Sequence, residues 1–148
     1  MSGSQQYLLD TNILSETRRK QPDERVTSLL SSIDDSALYI SVLTLGELRK
    51  GIAIKERSDP ASARQLTAWV DGLELGFADH ILGIDASVAR LWGELSADRP
   101  RLVIDTLLAA TAMVHGLTFV TRNTADVRGI EVRLLNPWAA RREGAYSE

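Results

Sequence analysis

Three acidic side chains of this 148-residue sequence lie in apolar surroundings, where ionised groups are uncommon. Asp10 ends an apolar run, Glu47 interrupts an apolar helical pattern, and Asp105 lies at the start of a long apolar segment. A fourth acid, Asp126, comes shortly after another apolar run. Carboxylates act as ligands for hard metal ions and as general acids and bases. Which chemistry they perform depends on whether the fold brings them together.

Carboxylates that share one site repel each other. Two of them ~5 Å apart at an effective dielectric of ~20 repel by roughly 3 kcal/mol, and three such pairs would cost about 10 kcal/mol, comparable with the stability of a domain. Such a site must take up protons or bind a cation. An all-oxygen ligand set with no nearby histidine or cysteine favours Mg²⁺ or Mn²⁺ over Zn²⁺. An ion held in this way keeps water molecules that it can activate towards a phosphodiester.

Each acid also has an ordinary structural interpretation. Asp10 before Thr11-Asn12 is typical of a helix N-cap, and Asp105 is favoured by a helix dipole. Glu47 taken alone is typical of a solvated helix residue, and Asp126 of a turn. The joint pattern favours a metal site, because each of three acids interrupts apolar sequence at the same predicted end of its element.

Strand and helix patterns alternate along the chain. Short apolar runs predict strands at 5–9, 37–42, 81–84, 118–121 and 131–135. Apolar spacings of three and four predict helices directly after residue 10 and at 22–33, 44–58, 60–77, 85–95 and 103–115, with a turn or short helix at 123–128. The alternation predicts a three-layer α/β/α domain with a mainly parallel central sheet.

This architecture predicts one location for all four acids, because ligands of open α/β sheets bind beyond the carboxyl ends of the strands. Asp10 and Asp126 are expected just beyond strand ends. Glu47 and Asp105 are expected in the first turns of the helices that follow. One pocket can therefore contain all of them.

Composition excludes several other classes of protein. With 17 Lys plus Arg against 20 Asp plus Glu and 5% aromatic residues, the chain offers neither a broad basic face nor base-stacking platforms for nucleic acid. The absence of cysteine excludes disulfide scaffolds, thiolate zinc sites and cysteine nucleophiles. No signal-like segment is present, and the longest uncharged stretch, 106–121, is shorter than the roughly 20 residues of a membrane span. We expect a single cytoplasmic domain over 1–148 without membrane contact, in which 1–4 are disordered or a cloning remnant and 139–148 form a polar tail.

Four segments resemble the PIN-domain family, and in particular its VapC-type and FitB-like bacterial toxins. They are LDTNILSE at 9–16, TLGELRKG at 44–51, DTLLAATA at 105–112 and VTRN at 120–123, with NPW at 136–138 as a further similarity to the FitB-like group. The resemblance implies a PIN-like fold and a metal-dependent endoribonuclease toxin, which hydrolyses RNA with one or two Mg²⁺ or Mn²⁺ ions. It also implies a cognate VapB-like antitoxin, a homodimer, and contact with DNA only through the antitoxin.

The resemblance implies that Asp10, Glu47 and Asp105, which match the family's motifs, are the acids that hold the metal. The fourth position departs from the pattern: some relatives have an acid directly after Thr-Arg, where this chain has Asn123, so the role falls either to Asp126 or to the Asn123 amide. Candidates for orienting the acids through hydrogen bonds are Thr11, Asn12, Thr121 and Asn123.

Basic residues close in sequence to the acidic motifs are candidates for RNA phosphate contacts. Taken one at a time, each of them is more simply explained as solvated surface. They are Arg18, Arg19, Lys20, Arg49, Lys50 and Arg122.

Two other functions are compatible with parts of the pattern. A haloacid-dehalogenase-like phosphotransferase also has an Asp after its first strand, but a second Asp normally follows two positions later, where this chain has Asn12. A catalytically idle PIN-fold subunit that binds an antitoxin in a DNA-bound complex would have the same fold.

The second predicted helix carries an apolar stripe with two interpretations. The stripe packs into the domain interior, or together with the third helix it forms a groove for an antitoxin helix. Its residues are Val26, Leu29, Leu30 and Ile33.

Overall fold

The computed structural model describes residues 5–139, so the predictions for residues 1–4 and 140–148 lie outside it. Its centre is a five-stranded sheet in the order β3-β2-β1-β4-β5, in which every pair of neighbours is parallel. The predicted parallel sheet is confirmed, with strands shorter than the apolar runs that predicted them. The strands are β1 (Tyr7–Leu9), β2 (Leu38–Ser41), β3 (Ile81–Leu82), β4 (Thr118–Val120) and β5 (Leu134–Leu135).

Within the part of the chain that the structure describes, six α-helices cover the sheet. Most begin at a side chain that accepts a backbone N–H of the first turn; the caps are Asp10, Asp23, Ser41, Asp59 and Asp85. None of the helices within residues 5–139 combines the length and apolarity needed to cross a membrane. The helices are α1 (Thr11–Thr17), α2 (Glu24–Ser31), α3 (Val42–Ser58), α4 (Pro60–Phe77), α5 (Ala86–Leu95) and α6 (Val103–His115).

Helix α3 begins two residues earlier than predicted. The hydroxyl of Ser41 accepts the backbone N–H of Leu43 at 3.0 Å, so the helix starts directly after β2. The prediction for Glu47 was therefore wrong in one respect, because this residue lies in the second turn of α3 and not in the first. Asp105 is in the first turn of α6, as predicted.

Two apolar cores on the two faces of the sheet produce the three layers. Leu9 packs in one core with residues of α1 to α4, whereas its neighbour Leu8 packs in the other with residues of α6. Successive strand residues point to opposite faces, and both are buried because helices cover both sides. The predicted three-layer α/β/α architecture is confirmed.

The apolar stripe predicted for the second helix contributes to the first core, although α2 ends at Ser31 and Ile33 lies beyond it. Val26 is fully buried, and Leu29, Leu30 and Ile33 are partly buried and packed against the same cluster. This packing supports the interior interpretation of the stripe. The antitoxin groove stays a prediction, which the partly exposed surfaces of the last three residues still permit.

Candidate acidic active site

Asp10 is the most enclosed acid of the predicted site, with 4% of its surface exposed. It follows β1, and its backbone N–H donates to the Val120 carbonyl of β4 at 2.9 Å, which continues the sheet pairing. The Oδ1 atom accepts the Thr11 backbone N–H at 2.7 Å, so the residue is the N-cap of α1. The ordinary interpretation of Asp10 as a cap is confirmed, and it leaves Oδ2 available for other contacts.

Two polar side chains orient the second oxygen of Asp10. The Thr121 hydroxyl donates to Oδ2 at 2.7 Å, and the Asn12 amide donates to it at 3.2 Å. The Thr121 oxygen in turn accepts the Asn123 backbone N–H at 3.0 Å. Burial nevertheless raises the pKa of Asp10 above its ordinary value, and the charge of Glu47 raises it further, although these hydrogen bonds partly offset the shift.

Glu47 reaches the site from α3 through a contact with α1. The Thr11 hydroxyl hydrogen-bonds with the Glu47 Oε1 atom and lies 3.3 Å from the hydroxyl of Thr44, a fully buried residue that the sequence analysis did not select. A polar residue one turn before Glu47 on the same helix face was the signal that could have identified Thr44. The carboxylate of Glu47 is exposed.

Asp105 interacts electrostatically with the other three acids. Burial raises the pKa of Asp105 to about 6, and the charges of Asp10, Asp126 and Glu47 contribute, as does a hydrogen bond with the Asp126 side chain. Charges from α3, the end of β1 and the turn after β4 therefore all reach the carboxylate of Asp105 on α6. The structure brings together the four acids that the sequence singled out.

The fourth position favours Asp126 over Asn123. Asp126 lies in a 3-10 helix, Thr124–Val127, rather than directly after β4, and its carboxylate contacts Asp105. Asn123 contributes its backbone N–H to Thr121. The fourth position therefore stays a prediction for which Asp126 is the better candidate, and Asn123 supports Asp10 through Thr121.

The donor chemistry of the four acids fits a hard divalent cation, since all the donors are carboxylate oxygens and their charges repel one another. In their present positions, no group of three or more His, Asp or Glu side chains within residues 5–139 is arranged to hold a metal ion. The charges of Asp10, Asp126 and Glu47 raise the pKa of Asp105, and the charge of Glu47 raises the pKa of Asp10. Three of these side chains would have to move in order to hold one ion together.

Arg49 has a different environment from the one predicted for a phosphate contact. Its guanidinium pairs with Asp71 at 2.8 Å and also with Glu74, both on α4. Two residues along a helix correspond to a rotation of about 200°, so Arg49 does not share the face of Glu47. We therefore do not retain Arg49 as an RNA contact.

The other basic candidates remain at the surface. The Arg122 guanidinium lies 4.6 Å from the centre of the Trp138 ring, and that of Arg18 lies 5.6 Å from the Trp69 ring. Arg19 pairs with the buried carboxylate of Glu16 at 3.4 Å, and Lys20 and Lys50 are exposed. Arg122 directly follows Thr121, whose hydroxyl donates to Asp10.

The loop between α1 and α2 is held by Glu16, a buried acid that the sequence analysis did not select. Its carboxylate accepts the Asp23 backbone N–H at 2.8 Å. No signal in a single sequence distinguishes this acid from its exposed neighbours, because its partner lies on the other side of the loop.

The parallel sheet and the acids at its edge are also found in known proteins. Residues 7–128 match the family described as "PIN domain", and the chain belongs to that family. The match includes all four acids. The predicted PIN-like fold and the family resemblance are confirmed.

Relatives narrow the comparison to FitB-like and VapC-type proteins. Toxin FitB of Neisseria gonorrhoeae is 35% identical over 136 residues, covering 88% of this chain and 97% of FitB. VapC ribonuclease Y4jK of Sinorhizobium fredii is 32% identical over 140 residues, covering 88% of this chain and 96% of Y4jK. A structure of FitAB bound to an IR36 DNA fragment matches with a TM-score of 0.82 and 31% identity, covering 93% of this chain and 99% of that chain.

Proposed function

We propose that this protein is a metal-dependent endoribonuclease and the toxin of a type II toxin–antitoxin system. The observation that carries the proposal is the gathering of Asp10, Glu47, Asp105 and Asp126 at one edge of the sheet, where three of them raise the pKa of the fourth. The names of the relatives, a toxin and a ribonuclease, support the same activity.

Asp10, Glu47, Asp105 and Asp126 would hold one or two Mg²⁺ or Mn²⁺ ions. Asp10 is already oriented by three hydrogen bonds, so it provides the fixed ligand. Glu47 is exposed and Asp126 lies in a short turn, so these two side chains can adjust to an ion. When bound, the metal lowers the pKa of a water molecule and stabilises negative charge on the phosphate and leaving oxygen.

Other side chains of this protein position the acids or would contact the RNA. Thr121 and Asn12 hold Oδ2 of Asp10 in place, and Thr11 holds Oε1 of Glu47. Arg122 follows the site directly and would contact an RNA phosphate. Lys20 and Lys50 would supply weaker, charge-based contacts from the surface.

The haloacid-dehalogenase-like alternative needs a second acid two positions after Asp10 for proton transfer. The residue two positions after Asp10 is Asn12, whose amide donates to Asp10 and whose Oδ1 accepts the Arg122 backbone N–H at 3.4 Å. An amide engaged in this way does not transfer protons as a carboxylic acid would.

Cleavage of total bacterial RNA by the purified, antitoxin-free protein tests the proposal. We expect cleavage with Mg²⁺ or Mn²⁺, none with a chelator, and none from Asp10→Asn under any of these conditions. Asp79→Asn is the matched control, because Asp79 is exposed and precedes β3, at the opposite edge of the sheet. Equal inactivity of the wild-type protein and Asp10→Asn would refute the enzyme.

A catalytically idle subunit is the second candidate. The solved FitAB complex with a DNA fragment, which resembles this chain, supports it. An idle subunit would bind its antitoxin and take part in a DNA complex while leaving RNA intact with every metal. The cleavage assay above separates it from the enzyme.

We propose a VapB-like antitoxin as the protein partner, a homodimer as the assembly, DNA contact only through the antitoxin, and the cytoplasm as the location. The partly exposed stripe of α2 is the proposed antitoxin contact. Replacing Leu29 by Asp should weaken antitoxin binding while leaving the circular dichroism spectrum unchanged. Unchanged affinity in a folded Leu29→Asp variant would exclude the stripe.

A further inference from the structure

The segment between α5 and α6 is fastened by one buried arginine. The side chain of Arg101 is only 5% exposed. Its Nε atom donates to the Leu95 carbonyl at 2.9 Å, and Nε and Nη2 donate to the two carboxylate oxygens of Asp98 at 3.2 and 3.0 Å. Because a guanidinium is planar and has fixed donor directions, these contacts lock the side chain in one orientation.

The same guanidinium also contacts the end of the turn that contains Asp126. Its Nη1 atom donates to the Arg128 carbonyl at 3.1 Å. Arg128 directly follows the 3-10 helix that contains Asp126, and its backbone N–H returns to the Ala125 carbonyl at 3.2 Å. One side chain therefore joins the segment before α6 to the end of the turn after β4.

Both connected segments hold an acid of the site. Asp105 is four residues after Arg101, in the first turn of α6, and Asp126 is two residues before Arg128. Within residues 5–139, Asp126 pairs with no strand, in contrast to Asp10, whose backbone continues the sheet. The Arg101 contact is a constraint on the turn that comes from the element carrying Asp105.

We infer that Arg101 is a positioning residue that holds the turn of Asp126 against the first turn of α6, so that Asp105 and Asp126 can serve one metal ion. The inference rests on the proposed function for the identity of the ligand. Residues that orient metal ligands typically change metal affinity by about 10- to 100-fold when they are replaced. Arg101 touches neither acid directly, so its effect passes through the backbone of the two segments.

The chain provides a matched control in Arg99. Its guanidinium also donates to the Arg128 carbonyl, but its side chain is 49% exposed. Arg99→Met therefore removes a contact with the same carbonyl and leaves the buried fastening in place. Arg101→Met removes all the hydrogen bonds of the guanidinium, whereas Arg101→Lys keeps the positive charge without the planar set of donors. Asp98→Asn removes the negative charge that pairs with Arg101.

Two measurements on the full chain test the inference. In calorimetric titrations with Mn²⁺, we expect Arg101→Met to lower the affinity by about tenfold or more, with partial rescue in Arg101→Lys and little change in Arg99→Met. Asp126→Asn combined with Arg101→Met should lose no more affinity than Asp126→Asn alone, since both act on the same ligand. In hydrogen-exchange mass spectrometry, Arg101→Met should accelerate exchange in residues 124–130 and Arg99→Met should not.

Mn²⁺ affinity within twofold of wild type in Arg101→Met, or an equal loss in Arg99→Met, would overturn the inference. If Arg101→Met does not fold, Arg101→Lys and Asp98→Asn decide the matter, because unchanged Mn²⁺ binding in both has the same meaning. A protein that leaves RNA intact but binds Mn²⁺ in an Arg101-dependent manner refutes the proposed function and supports this inference. If the protein cleaves RNA and its Mn²⁺ affinity does not depend on Arg101, this inference is refuted and the proposed function is not.

Discussion

Replacing Asp105 by asparagine should stabilise the metal-free protein at neutral pH, although it removes a proposed metal ligand. Burial, followed by the charges of Asp10, Asp126 and Glu47, raises the pKa of Asp105 from 3.8 to about 6. The ionised side chain is therefore less favourable in the folded protein than in the unfolded chain. Asparagine has nearly the same shape and does not ionise, so the variant avoids this cost.

The size of the effect follows from the pKa. A shift from 3.8 to about 6 corresponds to roughly 3 kcal/mol at ~1.4 kcal/mol per pKa unit. Because the side chain is only half-buried, solvent screening reduces this value, and we expect about 1 kcal/mol.

The sign of the pH dependence is fixed by the direction of the shift. Between pH 3.8 and about 6 the folded state binds more protons at Asp105 than the unfolded state does, so the contribution of this group to stability falls as the pH rises. Above this range the cost is constant, and below it the cost is absent. The advantage of Asp105→Asn should appear across the same window.

Urea denaturation from pH 4 to pH 8 without divalent metal measures this difference. We expect the free energy of unfolding of Asp105→Asn to exceed that of the wild type by about 1 kcal/mol at pH 7.5 and to approach it near pH 4. Asp79→Asn, an exposed control, should stay within about 0.5 kcal/mol throughout. A destabilised Asp105→Asn at pH 7.5, or a difference that does not vary with pH, would refute the reasoning.

Three further outcomes follow from the site. Mn²⁺ at about 100 times its dissociation constant should stabilise the wild-type protein by about 2.7 kcal/mol in thermal unfolding; Asp10→Asn should lose this gain, and an equal gain in the variant would place the ion elsewhere. Thr121→Val should lower the free energy of unfolding at pH 7 by about 1.5–3 kcal/mol, because it removes a hydrogen bond to a buried carboxylate; a loss below 0.5 kcal/mol in urea denaturation would contradict the assigned contact. Arg122→Met should weaken RNA binding and reduce its salt slope by about 1 in filter-binding titrations, whereas Arg49→Met should change neither, since Arg49 is already paired on α4.

Much of the fold could be predicted because local sequence chemistry decides it. Asp10 ends an apolar strand and caps the following helix, and both features are written in adjacent residues. The start of α3 could not be predicted in the same way. Ser41 and Thr44 are both acceptable caps, and the choice of Ser41 depends on where β2 leaves the sheet.

The basic residues illustrate a second limit of sequence-based prediction. Proximity in sequence placed Arg49 beside Glu47, but two residues on a helix point in different directions. The carboxylates of Asp71 and Glu74, more than 20 residues away, attract the Arg49 guanidinium instead. Arg122 kept its candidate role because it follows a strand end, where the direction of the chain is fixed by the sheet.

The types of the acids, and the edge of the sheet at which they lie, could be read from the amino-acid sequence, because a parallel sheet brings all its strand ends to one side. The groups that hold each acid could be identified only from the packed structure. Thr121 donates to Asp10 across 111 positions of sequence, and Arg101 reaches the Arg128 carbonyl across 27. Such contacts depend on the packed distance between elements, and no spacing within a single chain encodes that distance directly.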